Sequence, residues 1–176
     1  MSRASGRAAK AAGDAWEAFV EAQHEAAKYL GVIVYVQHNE PGTKFVGGRL
    51  LHTKKSGTDF FGIMADGRAF ATECKSTIGR LMRSDVQPKQ VEQLDAVVKV
   101  GGEAWLLVEF RIGVEGYIRC AIPWKVAPWT KLRSADSISP DEMDPEWYIR
   151  PGVCYLKRGV AVPVGVGGRK RIFARE

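Results

Sequence analysis

Gly57-Thr58-Asp59-Phe60-Phe61-Gly62-Ile63-Met64-Ala65-Asp66-Gly67-Arg68-Ala69-Phe70-Ala71-Thr72-Glu73-Cys74-Lys75 is the stretch on which the reading of this chain turns. Residues 57–64 and 68–75 are rich in aromatic and aliphatic side chains and read as two strands. Ala65-Asp66-Gly67 between them reads as a turn. Side chains alternate faces along a strand, so Glu73 and Lys75 point one way and Cys74 the other. The turn decides where Asp59 points. A two-residue loop at Asp66-Gly67 pairs Asp59 with Cys74, on the wrong face. A three-residue loop pairs Met64 with Arg68 and so Asp59 with Glu73. That loop needs a left-handed residue at its third position, and Gly67 supplies it. The expectation is therefore two opposed carboxylates with Cα atoms roughly 5 Å apart.

Carboxylates that close repel unless positive charge lies between them. A hard divalent cation with oxygen ligands meets that need, magnesium first and manganese as its substitute. Such an ion can hold a phosphate oxygen, activate water and neutralise charge in a transition state. Lys75, on the same face, can orient the water or stabilise the phosphorus centre. The competing reading of Asp59, Glu73 and Lys75 is a solvated strand face with a surface salt bridge. Against it, both acids interrupt apolar runs, where charge needs a partner or a metal. Two residues further out join as candidates. Glu17 lies on the first expected helix and could reach a metal on the sheet; Gln90 opens the helix after the hairpin, near the site's rim. Taken alone, each reads first as an ordinary helix-surface side chain.

Working outward, Asp14 can cap a helix running to about Leu30, with Trp16, Phe19, Val20, Ala27 and Leu30 on its buried face. Residues 1 to about 13 are small and basic and read as a flexible arm. Val32-Ile33-Val34-Tyr35-Val36 reads as a strand, and residues 41–56 as a loop or irregular projection. Residues 86–100 read as a helix with Pro88 in its first turn, ended by Gly101-Gly102. Ala104–Phe110 and Tyr117–Ile122 are apolar strands. Residues 123–152 look irregular with a short helix, and the tail from Lys157 is basic and rich in glycine and valine. The pattern predicts one α/β domain over residues 1–176.

The chain's 176 residues carry a formal charge of +6, with a pI of about 9.3. A basic excess favours a polyanion such as nucleic acid, or else serves solubility. Arg3, Arg7 and Lys10 on the arm, with Lys44, Arg49, Lys54 and Lys55 on the projection, are the candidate DNA-binding cations. No apolar run approaches the roughly 20 residues of a membrane span. Three cysteines without CxxC spacing fit a reducing cytoplasm, and the scattered histidines argue against zinc.

Asp59 with Glu73-x-Lys75 resembles the PD-(D/E)XK nuclease signature. The surroundings resemble RecU-type Holliday junction resolvases. Gly13, Glu17, His24, Tyr29 and Gly31 follow that family's opening helix pattern. His38-Asn39-Glu40-Pro41 resembles the end of its first strand. Gly57-Thr58-Asp59-Phe60-Phe61-Gly62, Gln90-Val91-Glu92-Gln93-Leu94, Gly101-Gly102-Glu103-Ala104-Trp105 and Ser137-Ile138-Ser139 follow in the family's order, so the similarity spans about residues 13–140. It departs at Gly57, where the family usually carries a metal-binding threonine. The resemblance implies a restriction-endonuclease-like mixed sheet flanked by helices, with an αβββαβ core, and a homodimer. It implies that residues 41–56 form a stalk entering the junction centre. It also implies metal ligation by Asp59, Glu73 and Gln90, with Lys75 stabilising the transition state. The expected function is magnesium-dependent resolution of four-way DNA junctions. The alternatives are a nuclease of the same fold without junction selectivity, a DNA-binding protein with a decayed site and, more remotely, a membrane-surface protein.

Overall fold

The computed structural model describes residues 3–39, 43–46, 49–52, 57–113, 116–125, 137–150 and 153–156. Helix α1 spans Arg3–Tyr29, and strand β1 spans Ile33–His38. Strands β2 (Thr43–Val46) and β3 (Arg49–His52) pair only with each other. Strands β4 (Phe60–Met64) and β5 (Ala69–Ile78) form the hairpin, followed by the short β6 (Leu81–Met82). Helix α2 (Pro88–Lys99) leads into β7 (Glu103–Ile112) and β8 (Gly116–Pro123). The two-residue β9 (Ser137–Ile138) pairs with β6.

The architecture is α/β, with a five-stranded mixed sheet in the order β1-β4-β5-β7-β8. β5 and β7 are parallel, and every other neighbouring pair in this sheet is antiparallel. A parallel pair needs a crossover, and α2 provides it. In chain order, the sheet and its two helices run α1, β1, β4, β5, α2, β7, β8. Alternation along the central strands divides the core in two. Ala71, Leu106, Val108 and Phe110 pack with Leu94 and Val97 of α2. Phe70, Cys74 and Leu107 pack with Trp16, Val20 and Ala27 of α1. The helices therefore cover opposite faces of one sheet.

Two expectations are corrected here. The arm is not a flexible tail as far as the described residues go: helix begins at Arg3, and Asp14 lies inside it. Ala8, Ala9, Ala11 and Ala12 carry the highest helix propensity and outweigh Gly6 and Gly13. Asp14 accepts from Lys10 Nζ at 2.7 Å instead of capping the helix. Residues 6–11 are exposed, so α1 starts beyond the part of the sheet that it covers. The projection also contains regular structure, the β2–β3 hairpin, with Lys44 opposite Leu51 and Val46 opposite Arg49. This register puts positions 44 and 49 on one face of the hairpin. Lys54 and Lys55 lie outside the described residues, as does the tail from 157. Among the described residues, no helix is long and apolar enough to cross a membrane.

Several polar contacts pin α1 to the sheet. Trp16 Nε1 donates to Leu107 O at 3.1 Å. Arg119 on β8 ion-pairs with the buried Glu109 of β7 at 2.8 Å, and its guanidinium lies 3.8 Å from the Phe19 ring centre. His24 is sealed under the helix, 1% exposed, hydrogen-bonded to the Tyr155 hydroxyl and edge-on to Phe60. Burial, with a smaller push from the charge of His38, holds its pKa down at about 3. Below the ordinary value of 6.5, the unfolded chain takes a proton that the folded chain refuses. Stability therefore falls as pH drops below 6.5, with a limiting slope of about 1.4 kcal/mol per pH unit. Urea midpoints at pH 7.5, 6.5, 5.8 and 5.2 should decline from 6.5 downward in the native protein and flatten in His24→Asn. A native midpoint constant between 6.5 and 5.2 contradicts this account.

Candidate active site

The hairpin turn closes as a three-residue loop. Met64 N donates to Arg68 O at 2.8 Å and Gly67 N to Met64 O at 3.0 Å. Gly67 has φ +85°, the left-handed backbone the turn requires. Phe60 then pairs with Thr72 and Phe61 with Ala71. The strand pairing ends at Phe60 and Thr72, one residue short of Asp59 and Glu73. Asp59 sits in the bend before β4, and its Oδ2 accepts the Cys74 N–H at 2.6 Å. Both acids are inside the protein, at 3% and 1% exposure.

Glu73 is the centre of a polar cluster on the α2 face. Lys75 Nζ lies 2.8 Å from Glu73 Oε1, and Gln90 Nε2 donates to the same oxygen at 2.5 Å. Gln90 Oε1 accepts from Lys75 Nζ at 3.3 Å and from Gln87 N at 2.8 Å. The second of these contacts closes the N-terminus of α2, where the first backbone N–H groups have no helical acceptor. Gln90 thus gives its nitrogen to the carboxylate and its oxygen to the helix start. In this arrangement it orients Glu73, and ligation through its oxygen would require the carboxamide to turn. An open cleft lined by Lys75, Ser76, Thr77, Leu81 and Asp85 runs beside the lysine.

The structure therefore brings together Glu73, Lys75 and Gln90, with Asp59 tied to the neighbouring Cys74 amide. Glu17 is on α1, and its Oε2 lies 3.1 Å from His38 Nε2; His38 Nδ1 is 3.7 Å from Glu21 Oε1, and the ring stacks on Phe60 at 4.3 Å. This group lies on the α1 face, across the sheet from α2. Of the expected DNA-binding cations, Arg7 and Lys10 are exposed on α1, with Lys10 ion-paired to Asp14. The side chains of Arg3, Lys44 and Arg49 lie outside the described residues, as do Lys54 and Lys55 altogether.

Among the described residues, no group of three or more His, Cys, Asp or Glu side chains is arranged to hold a metal. The acid pair with its amide and ammonium neighbours is a different donor set. Its donors are hard oxygens, held by a stiff hairpin, and Lys75 already brings positive charge to them. That chemistry fits magnesium, with Asp59 and Glu73 as the holding residues.

The sequence reading missed the segment leading into Asp59. Thr58 N donates to Gln93 Oε1 at 2.8 Å, and Thr58 Oγ1 donates to Phe60 O at 3.3 Å. Gly57 has φ +98°, and a Cβ built there would lie 1.9 Å from Gln93 Oε1. Threonine at position 57 therefore has neither the backbone conformation nor the space. The signal available in the sequence was Gln90 and Gln93 three apart, on one face of a helix.

Comparison with protein-family models gave no match, and no curated protein matches the chain significantly.

The Lys75–Glu73 contact carries a prediction for stability. Removing one partner of a buried ion pair leaves an uncompensated charge. With Lys75 partly exposed, Lys75→Met should cost about 2 kcal/mol. The double variant Lys75→Met/Glu73→Gln should regain most of that loss. Chemical denaturation of the four species in the cycle measures the coupling. Additive effects would show that the pair is a loose surface contact.

Proposed function

We propose that the protein is a magnesium-dependent endodeoxyribonuclease of the restriction-endonuclease-like fold that resolves four-way DNA junctions as a homodimer. The observation that carries this reading is a buried polar cluster on one hairpin: Lys75 and Gln90 meet at the Glu73 carboxylate, and the buried Asp59 carboxylate is held on the next backbone amide, that of Cys74. The sheet order and the position of α2 between β5 and β7 are compatible with that fold. The basic charge of +6 suits a phosphate backbone.

Bound by Asp59 and Glu73, magnesium supplies Lewis-acid neutralisation of charge at a phosphodiester. The chain's own residues do the rest. The Cys74 N–H holds the Asp59 carboxylate, and Gln90 holds Glu73. Lys75, at the cleft, offers its ammonium to the charge that develops on the phosphoryl oxygens as water adds to phosphorus. The phosphorus–oxygen bond to the leaving strand breaks, and that oxygen takes a proton.

Asp59→Asn or Glu73→Gln should abolish cleavage and retain DNA binding. Lys75→Ala should lower the saturated rate by about 10²–10³ with little change in affinity. A labelled mobile junction and matched duplex, incubated with magnesium or with EDTA, provide the assay. Equal cleavage rates in EDTA and magnesium would refute the metal-dependent reading.

Junction choice is assigned to the β2–β3 projection. Phosphate contacts carry no base information, so discrimination has to come from shape. In a dimer, two projections would meet near the crossover, where linear duplex has no matching cavity. Neutralising Lys54 and Lys55 together should weaken junction binding more than duplex binding. It should also reduce the slope of log affinity against log salt by about one unit per lysine. Equal loss on both substrates favours a nuclease of the same fold without junction selectivity.

A further inference from the structure

Helix α2 reaches both acid-bearing segments with two glutamines one turn apart. Gln90 contacts Glu73 on β5, and Gln93 accepts the N–H of Thr58, the residue just before Asp59. The two contacts join segments far apart in sequence: Gln93 lies 35 positions beyond Thr58. Gly57 has φ +98°, and the Gln93 carboxamide occupies the space where a Cβ would stand, 1.9 Å from Oε1. Asn39 closes the other side of the same segment, with its N–H on Asp59 O at 2.7 Å and its Nδ2 on Thr58 O at 2.9 Å. The chain entering β4 is thus gripped from two sides at the point where the carboxylate leaves the backbone.

We propose that Gln93 is a positioning residue that sets the Asp59 carboxylate on the Cys74 amide, next along β5 from Glu73, so that α2 holds both acid-bearing segments through Gln90 and Gln93. Its importance for catalysis rests on the nuclease reading above. The geometry can be tested without it. Gln93 touches no reacting group. It acts by fixing the Thr58 amide, which orients the Asp59 backbone and so the Oδ2 that accepts the Cys74 N–H. Groups that orient metal-holding carboxylates typically govern affinity by about 10–100-fold.

The Cys74 amide proton reports directly on Asp59. Gln93→Met removes the acceptor at nearly constant length. Gln93→Glu keeps an acceptor oxygen and serves as the conservative rescue. Amide exchange and ¹⁵N–¹H spectra of the intact chain are recorded for native, Gln93→Met and Gln93→Glu proteins, with melting temperatures as the folding control. Magnesium is then titrated into each. In Gln93→Met the Cys74 amide should exchange about fivefold faster, as expected for one weakened hydrogen bond. Its magnesium affinity should fall about tenfold or more. Gln93→Glu should restore both. If Gln93→Met does not fold, Gln93→Asn, too short to reach Thr58, takes its place. An unchanged Cys74 amide in a folded variant overturns the proposal. If that amide responds as expected but the native spectrum does not respond to magnesium, the positioning role stands and the nuclease reading fails.

Discussion

Asp59 and Glu73 are two carboxylates held within the protein's interior, where a charged group is costly unless it is paired or hydrogen-bonded. The energetic problem is local, but its solution draws on the whole fold. The turn at Gly67 sets the register, closing as a three-residue loop that pairs Phe60 with Thr72. A slip of one residue would send one acid to the opposite face. The parallel partner β7 and the antiparallel β4 flank β5 on both edges, so the strand bearing Glu73 and Lys75 has no freedom to shift. Backbone rigidity here is what makes a short-range electrostatic arrangement possible.

Helix α2 turns that rigid frame into a site. It exists because a parallel β5–β7 pair needs a crossover, and its apolar side, Leu94 and Val97, seats it on the sheet. Once seated, its first turn lies beside Glu73. Gln90 closes the helix start and holds the carboxylate with one side chain. Helix α1 does a different job on the opposite face. It buries Trp16, Val20 and Ala27, encloses His24 in a neutral state, and carries Glu17 to His38. The molecule thus has one face built for packing around aromatic rings and another that gathers charge.

Much of this was legible in the sequence because it rested on local rules. The β-branched and aromatic runs marked β1, β4, β5, β7 and β8, and Pro88 with Gly101 bracketed α2. Gly67 made the hairpin register readable. The start of α1 was misread because small and basic residues suggest a loose arm, whereas its alanines favour helix. The β2–β3 pairing was hidden by the glycines and proline around it. The contacts of Gln93 with Thr58 and of His38 with Glu17 were not legible at all. They join elements distant in sequence, and nothing in the local pattern of either partner requires the other.

The central claim is that Asp59 and Glu73 together hold a divalent cation. Crystals soaked in manganese, with data collected at its absorption edge, test this directly. The account predicts an anomalous peak between the two carboxylates, with oxygen ligands from both at the roughly 2 Å expected of a hard cation. A crystal saturated with manganese that shows no peak at this pair, or a peak bound only elsewhere, would contradict it.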